Sequence, residues 1–231
     1  MAVRPTSMSS RGDLTREALI DAAVEVFGRD GFRAASTRSI ADTAHVNQAL
    51  IGYHFGGKPG LYLAVFERIT RRVAQYLNPV AEAIEQHFER INEDDGDGAS
   101  TRSAACLALV HRMIDALVAT FSAPESAAWA RLILREQQDP SEAFDLLYGR
   151  MIGRMLSLLT RLIAQIVGTD PQAIESRLLS QTIIGQALVF RSARATVQRH
   201  LDWQEIGADE ITRIQSVIRR NVTAMLTEGQ S

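Results

Sequence analysis

The sequence predicts an all-α protein: a small N-terminal unit of three short helices, then a larger C-terminal helical bundle. Three observations carry this. Helical apolar periodicity runs through nearly the whole chain and period-two alternation is nearly absent. Glycine and asparagine signals break residues 28–57 into short pieces, whereas prolines punctuate longer stretches after residue 58. The 231 residues are 46% hydrophobic, enough for a substantial core.

The elements follow in order. Met1–Gly12 lacks the apolar stretch of a signal peptide and reads as a flexible arm, residues 1–12, carrying Arg4 and Arg11. Asp13 is a good N-cap for a helix ending about Gly28, with Leu19, Ala22, Ala23, Val26 and Phe27 as its apolar stripe. Gly28–Gly31 forms a break. Ser36 caps a short helix that points Ile40, Ala41 and Ala44 inward. His45-Val46 makes a tight turn. Asn47 caps a second short helix, Gln48 to Phe55, anchored by Ile51 and Phe55 and stopped by Gly56-Gly57. A fourth helix spans about Lys58–Leu77, with Pro59 suited to its first turn and Asn78-Pro79 as a junction.

Beyond it the sequence predicts helices over 79–92, 101–121, 126–137, from Asp139-Pro140-Ser141 to 167, from Asp170-Pro171 to 198, and 209–226. The acidic stretch Asp94–Asp97 reads as a solvated loop. The resulting organisation is 1–12 arm, 13–58 helix-turn-helix domain, 59–78 connecting helix, and 79–231 ligand-binding and dimerisation domain.

Several function classes lose support. The net charge of -2 advertises no general affinity for nucleic acid, so any DNA contact needs a local patch. The single cysteine, Cys106, rules out an intrachain disulfide and a Cys-rich zinc site. No apolar run reaches the ~18 residues of a membrane span, so no membrane partner and a cytoplasmic location are expected. Gly52–Lys58 matches the start of a phosphate-binding loop, but Pro59 stands where a Ser or Thr must hold magnesium, and no strand precedes it. Asp95 and Asp97 fit the first two calcium ligands of an EF-hand, but Ala99 falls at the third. The five histidines show no ligand spacing. No cofactor, metal site or catalytic constellation is expected, and the chain reads as a non-enzyme.

The stretch from Ser36 to Phe55 carries the functional reading. Two short helices joined by a tight turn cross steeply, which lets the second enter a major groove. Ile51 and Phe55 fix that helix from within, and Gln48, Tyr53 and His54 give its outer side hydrogen-bonding and stacking groups.

Gly31-Phe32, Thr37-Arg38-Ser39-Ile40-Ala41, Ala44-His45-Val46-Asn47, Tyr53-His54-Phe55-Gly56-Gly57-Lys58 and Leu61 together resemble the TetR family of regulators, over about residues 14–66. In that family Gly usually stands at the place of His45, Ser or Thr at Asn47, and Tyr at Gly52. The resemblance implies a homodimer on a double-stranded DNA operator. It places Arg38 at a base edge, where arginine matches guanine O6 and N7. It places Gln48 at a base or phosphate, and Thr37, Tyr53, His54 and Lys58 at phosphates. Asn47 and Ala49 complete the DNA-facing set. Arg4 and Arg11 are expected to follow the minor groove.

Trp129–Gln137, followed by Asp139-Pro140-Ser141, Ala143-Phe144 and Leu147-Tyr148, is similar to the CecR-type branch of that family. The resemblance implies a repressor responsive to a small-molecule effector. Phe144, Tyr148, Met151 and Met155 share a helical face that is either core or pocket lining. With His111, Arg112, Trp129 and Arg135 they form the candidate ligand set. Ser180, Ile184, Gly185, Leu188, Ile214 and Ile218 are the candidate dimer surface. Three other readings stay open: an interaction protein retaining the fold without sequence-specific DNA binding, an all-α enzyme, and a DNA binder without a ligand.

Overall fold

The structure is a computed structural model that describes residues 11–93, 98–124 and 126–227. Arg4 and the acidic loop Asp94–Asp97 lie outside the described residues. All regular secondary structure among the described residues is helical, as the periodicity predicts. The chain separates into two compact units: residues up to Ile69 with Arg131–Leu147, and Thr70–Ala130 with Tyr148 onward.

In the first unit, α1 (Arg11–Ala34) buries Leu19, Ala23, Val26 and Phe27 completely. The helix does not stop at Gly28. It turns once more and breaks at Gly31, whose φ of 80° and ψ of 168° are open to glycine alone at low cost. The extra turn survives because its orphan carbonyls find donors. Arg131 Nε donates to Gly28 O (3.1 Å), and Arg135 donates through Nη1 to Phe27 O (2.8 Å) and through Nη2 to Arg29 O (3.3 Å). A Cβ at Gly31 would lie 2.9 Å from Arg135 Nη1, so that close approach also needs glycine.

Helices α2 (Thr37–Thr43), α3 (Ala49–Phe55) and the start of α4 (Lys58–Glu93) complete the head. Phe27, Phe32, Tyr62 and Phe66 form a chain of ring contacts 4.8 to 6.0 Å apart between centroids. Arg68 reaches back to Glu17 and to Asp21 (2.9 Å), pinning α4 to α1.

The junction expected at Asn78-Pro79 does not exist: α4 runs unbroken through Pro79. Val73, Leu77, Val80, Ala81, Ile84 and Phe88 are buried in one continuous helical register across the proline. Pro79 and Gln75, whose carbonyl loses its intrahelical donor, are both exposed. A mid-helix proline costs ~3 kcal/mol. Burying even a few of these side chains at ~1.5–3 kcal/mol each outweighs that.

The second unit centres on α5 (Ala99–Ser122), packed against α8 (Gly153–Val167), α9 (Ile174–Ser192) and α11 (Ala208–Thr227). Its stretch Ser100–Ser122 is long and apolar enough to cross a membrane, which corrects the expectation that no such run exists. Cys106, Val110, Met113, Ile114, Leu117 and Val118 are buried, and the packing identifies α5 as the core helix of the bundle.

α6 (Ser126–Gln138) leads to α7 (Glu142–Leu147), a π-helical turn at Tyr148–Ile152, and then α8. A helix expected to run unbroken to 167 is thus interrupted. The helix expected to reach 198 divides at Ala193 into α9 and α10 (Arg194–His200).

Candidate nucleic-acid interface

The corner that presents α3 is built locally. The Ser36 hydroxyl accepts from Ser39 N (3.0 Å), capping α2. The chain then closes with Ala44 N on Ile40 O (2.9 Å) and Val46 N on Ala41 O (3.0 Å). His45 sits at φ 55°, the left-handed conformation that histidine tolerates better than most side chains. The Asn47 carboxamide oxygen accepts from Ala49 N (2.8 Å), so asparagine caps α3 where the resemblance leads one to expect serine or threonine. Gly56, at φ 70°, ends α3.

The fit between α3 and α4 depends on Gly60. A Cβ there would stand 1.9 Å from Phe55 O, so no other residue fits. Nothing in the local sequence assigns Gly60 this role. The close approach exists only once both helices are in place.

Ile51 is buried and Phe55 half-buried, so the inner side of α3 is anchored as its spacing predicts. The outer side brings the sequence-predicted DNA residues together. Asn47, Gln48, Ala49 and Tyr53 are exposed, and Tyr53 retains 82% of its free surface. Gln48 Nε2 donates to Thr37 Oγ1 (2.8 Å), tying the start of α3 to the start of α2. The Tyr53 and His54 rings meet edge to face at 4.9 Å. Arg38 is 84% exposed at the side chain and faces Asp42 at 4.0 Å, a contact too exposed to hold it. Lys58 is half-buried, with its ammonium 4.7 Å from the Phe32 ring centre and donating to Arg33 O (3.3 Å).

Behind this surface lies an ion that sequence reasoning missed. Glu136 is 4% exposed. Its Oε1 accepts from the Tyr62 hydroxyl (2.8 Å), and its Oε2 accepts from Ser141 N (2.9 Å) and Ser141 Oγ (2.8 Å). Burial, and then the bond to Glu136, push the Tyr62 phenol well above its usual range. No local signal marks a pair 74 residues apart.

The candidate ligand residues are divided between the two units. Arg135 and Phe144 belong to the first unit, and the Arg135 fork is spent on α1 carbonyls. In the second unit Trp129 and Met155 are buried, Met151 half-buried, and Tyr148 and Arg112 exposed. The expected single face fails because a π turn closes i to i+5, which breaks the register of Phe144, Tyr148, Met151 and Met155. The Trp129 indole N–H is buried without an acceptor among the described residues. His111 Nε2 lies 3.0 Å from Thr223 Oγ1. Because that hydroxyl donates to Arg219 O (2.9 Å), His111 is the donor in the pair.

Three candidate dimer residues are corrected. Ser180, Ile214 and Ile218 are buried within the protomer, and Ser180 donates to Arg177 O. The periodicity located the helices, but their inner rows meet α5 and α8. Ile184 and Leu188 are half-buried and Gly185 is exposed. The outer apolar residues are Ile174, Leu178 and Val189 on α9 and Val217 and Met225 on α11, with Gln186 Nε2 3.4 Å from Met225 Sδ.

Residues 19–65 match the family of bacterial regulatory proteins of tetR type, and residues 103–229 match the C-terminal domain of the HTH-type transcriptional dual regulator CecR. The chain is 29% identical to that dual regulator from Shigella flexneri over 220 residues, 95% of each protein. It is 36% identical over 70 residues to the HTH-type transcriptional repressor NicS of Pseudomonas putida, 30% of this chain and 33% of that one. Among solved structures, a TetR-like regulator from a Rhodococcus species superposes with a TM-score of 0.63 at 16% identity, covering 94% of this chain and 97% of that one. The fatty acid degradation regulator FadR of Bacillus halodurans gives 0.56 at 17% identity, covering 96% and 99%. At such identities the two structures establish the fold alone.

Proposed function

The chain belongs to the CecR-type branch of the TetR family of DNA-binding transcriptional regulators, and from that premise we propose how it works: as a homodimeric repressor that a small molecule releases from a near-palindromic operator. The observation that carries this is the outer side of α3, where Asn47, Gln48, Ala49 and Tyr53 stand exposed while Ile51 anchors the inner side.

Arg38 donates two parallel hydrogen bonds to a guanine edge, and Gln48 reads a neighbouring base or phosphate. Thr37, Tyr53, His54 and Lys58 hold the backbone and set the register. Two such heads reach successive major grooves about one helical turn, ~34 Å, apart. The exposed apolar rows of α9 and α11 support pairing as a two-fold four-helix bundle. The effector acts from the C-terminal unit. It must favour the conformation that does not fit DNA, and each tenfold preference corresponds to ~1.4 kcal/mol.

The test is fluorescence anisotropy with labelled DNA from the promoter of the chain's own gene. Selective binding that weakens steeply with salt is expected. Arg38→Ala lowers specific affinity roughly tenfold or more, consistent with ~1–3 kcal/mol for a bidentate base contact, and leaves the fold intact. Equal affinity for promoter and scrambled DNA refutes the proposal.

A further inference from the structure

The second unit carries a cleft of about 490 Å³ between the start of α8 and the start of α9, a volume suited to a small organic molecule. Its chemistry is lopsided. Arg161 and Arg177 line it with Tyr148, Leu156, Ile174 and Leu178, and no aspartate or glutamate is among its lining residues.

Neither arginine forms an ion pair among the described residues. Arg161 lies 4.0 Å from the centre of the Phe88 ring. Stacking occupies the flat face of a guanidinium and leaves its in-plane N–H groups free. Glu85, the carboxylate that senses Arg161, is already held by Arg154 through Nε to Oε1 (3.1 Å) and Nη2 to Oε2 (2.8 Å).

Two hydroxyls of the same walls do not compete as donors. Thr160 donates to Leu156 O (2.7 Å) and Ser180 to Arg177 O (2.7 Å). The charged donors of the cleft are the two guanidinium groups, beside the neutral Ser157, Gln172 and Gln181. Beside them, Ile174 and Leu178 expose more than half of their surface, 59% and 57%. Large apolar side chains next to uncompensated cations suit an occupant that is apolar along its body and negative at one end.

We infer that this cleft binds a small amphipathic anion, an aliphatic or aryl body ending in one carboxylate or phosphate monoester. Arg161, preset on Phe88, and Arg177 take the anionic end. Leu156, Ile174, Leu178 and the Tyr148 ring cover the body. The site rests on the effector reading above only for its regulatory consequence, since binding is measured without DNA.

The experiment is isothermal titration calorimetry of the full chain with octanoate, octyl phosphate, octanol and octyltrimethylammonium, each below its micellar range. At least one anion is expected to bind ten times or more tighter than octanol, with the cation weakest. The preferred anion distinguishes carboxylate from phosphate. The double variant Arg161→Gln, Arg177→Gln is expected to lose at least tenfold affinity for that anion and leave octanol unchanged. Its circular dichroism melt confirms folding, and Arg→Lys at both positions recovers part of the loss.

Octanol binding as tightly as the anions, no binding by either anion, or an unaffected double variant overturns the assignment. So does a variant that changes only dimer mass in sedimentation, because the cleft would then be a subunit contact. Anion binding without release of operator DNA supports the site and refutes its role as the effector site. Failure of the wild-type chain to bind either anion, alongside intact, selective operator binding, refutes the site and leaves the DNA-binding reading standing.

Discussion

Replacing Glu136 tests whether its buried carboxylate organises the DNA-reading unit. Three donors converge on its two oxygens at 2.8 to 2.9 Å, and the side chain is 4% exposed. In Glu136→Gln the amide oxygen still serves Ser141, and the Tyr62 hydroxyl turns to accept from the new NH₂. The hydrogen-bond count is kept and the charge assistance lost. Bonds to a charged group are worth ~1.5–3 kcal/mol and neutral ones ~0.5–1.5, a difference of ~1–1.5 per bond, so the expected loss is at most about 3–4.5 kcal/mol over three bonds. Glu136→Ala strands a buried hydroxyl and a backbone N–H and opens a cavity, for about 3–5 kcal/mol. Tyr62→Phe leaves Oε1 without its donor, for about 1–3 kcal/mol. Urea unfolding at pH 7 followed by circular dichroism measures all three. The expected order of stability is wild type, then Tyr62→Phe and Glu136→Gln, then Glu136→Ala. A Tyr62→Phe, Glu136→Gln double variant that loses only what one single variant loses shows that the two act together. Additive losses, or a Gln variant within ~0.5 kcal/mol of wild type, the ordinary range for surface changes, would refute the reasoning.

Gly60→Ala should destabilise the head by at least the ~3 kcal/mol upper end of overpacking costs, because its Cβ would overlap Phe55 O, a backbone atom that cannot rotate away. A lowered melting temperature together with lost operator binding checks it, and a wild-type melt contradicts the α3–α4 geometry. Cys106 is 0% exposed, and burial raises its thiol from 9.0 to about 11. It should therefore resist a disulfide reagent at pH 8 in the folded protein and react at once in urea. Because the folded value lies above the unfolded one, its contribution to stability is complete below pH 9 and is lost as pH rises through about 11. The pH dependence of unfolding between 8 and 11 should be shallower in Cys106→Ala.

What the sequence reveals divides by the range of the interaction. The head was readable because each feature depends on neighbours a few positions away. Ser36 bonds three residues on, Asn47 two, and the left-handed turn needs only a tolerant residue at position 45. Pro79 misled because its local penalty is real but smaller than the burial of a stripe that keeps its register on both sides. Local propensity yields wherever several buried side chains oppose one broken bond. For α9 and α11, periodicity established that each helix has an apolar row without showing which partner the row meets. Ser180, Ile214 and Ile218 turned out to face the protomer's own core, and the outer surface fell to Ile174, Leu178, Val189, Val217 and Met225.

Arg135 and Glu136 show the limit from the other side. Adjacent in sequence at the end of α6, they point to different elements of one unit: Arg135 caps α1, and Glu136 receives Tyr62 of α4 and Ser141. Only Ser141 lies nearby, five residues on; the α1 and α4 partners lie beyond 70 residues, outside any periodic window. A charged pair ending a helix beside a proline reads equally well as surface or as pocket. Burial decides between them, and burial is a property of the assembled unit. The residues 131–147 that carry the resemblance to the C-terminal branch thus belong physically with the DNA-reading head. Any effector reading of Arg135 must therefore account for the three α1 and α4 residues its guanidinium and its neighbour's carboxylate already hold: Phe27, Arg29 and Tyr62.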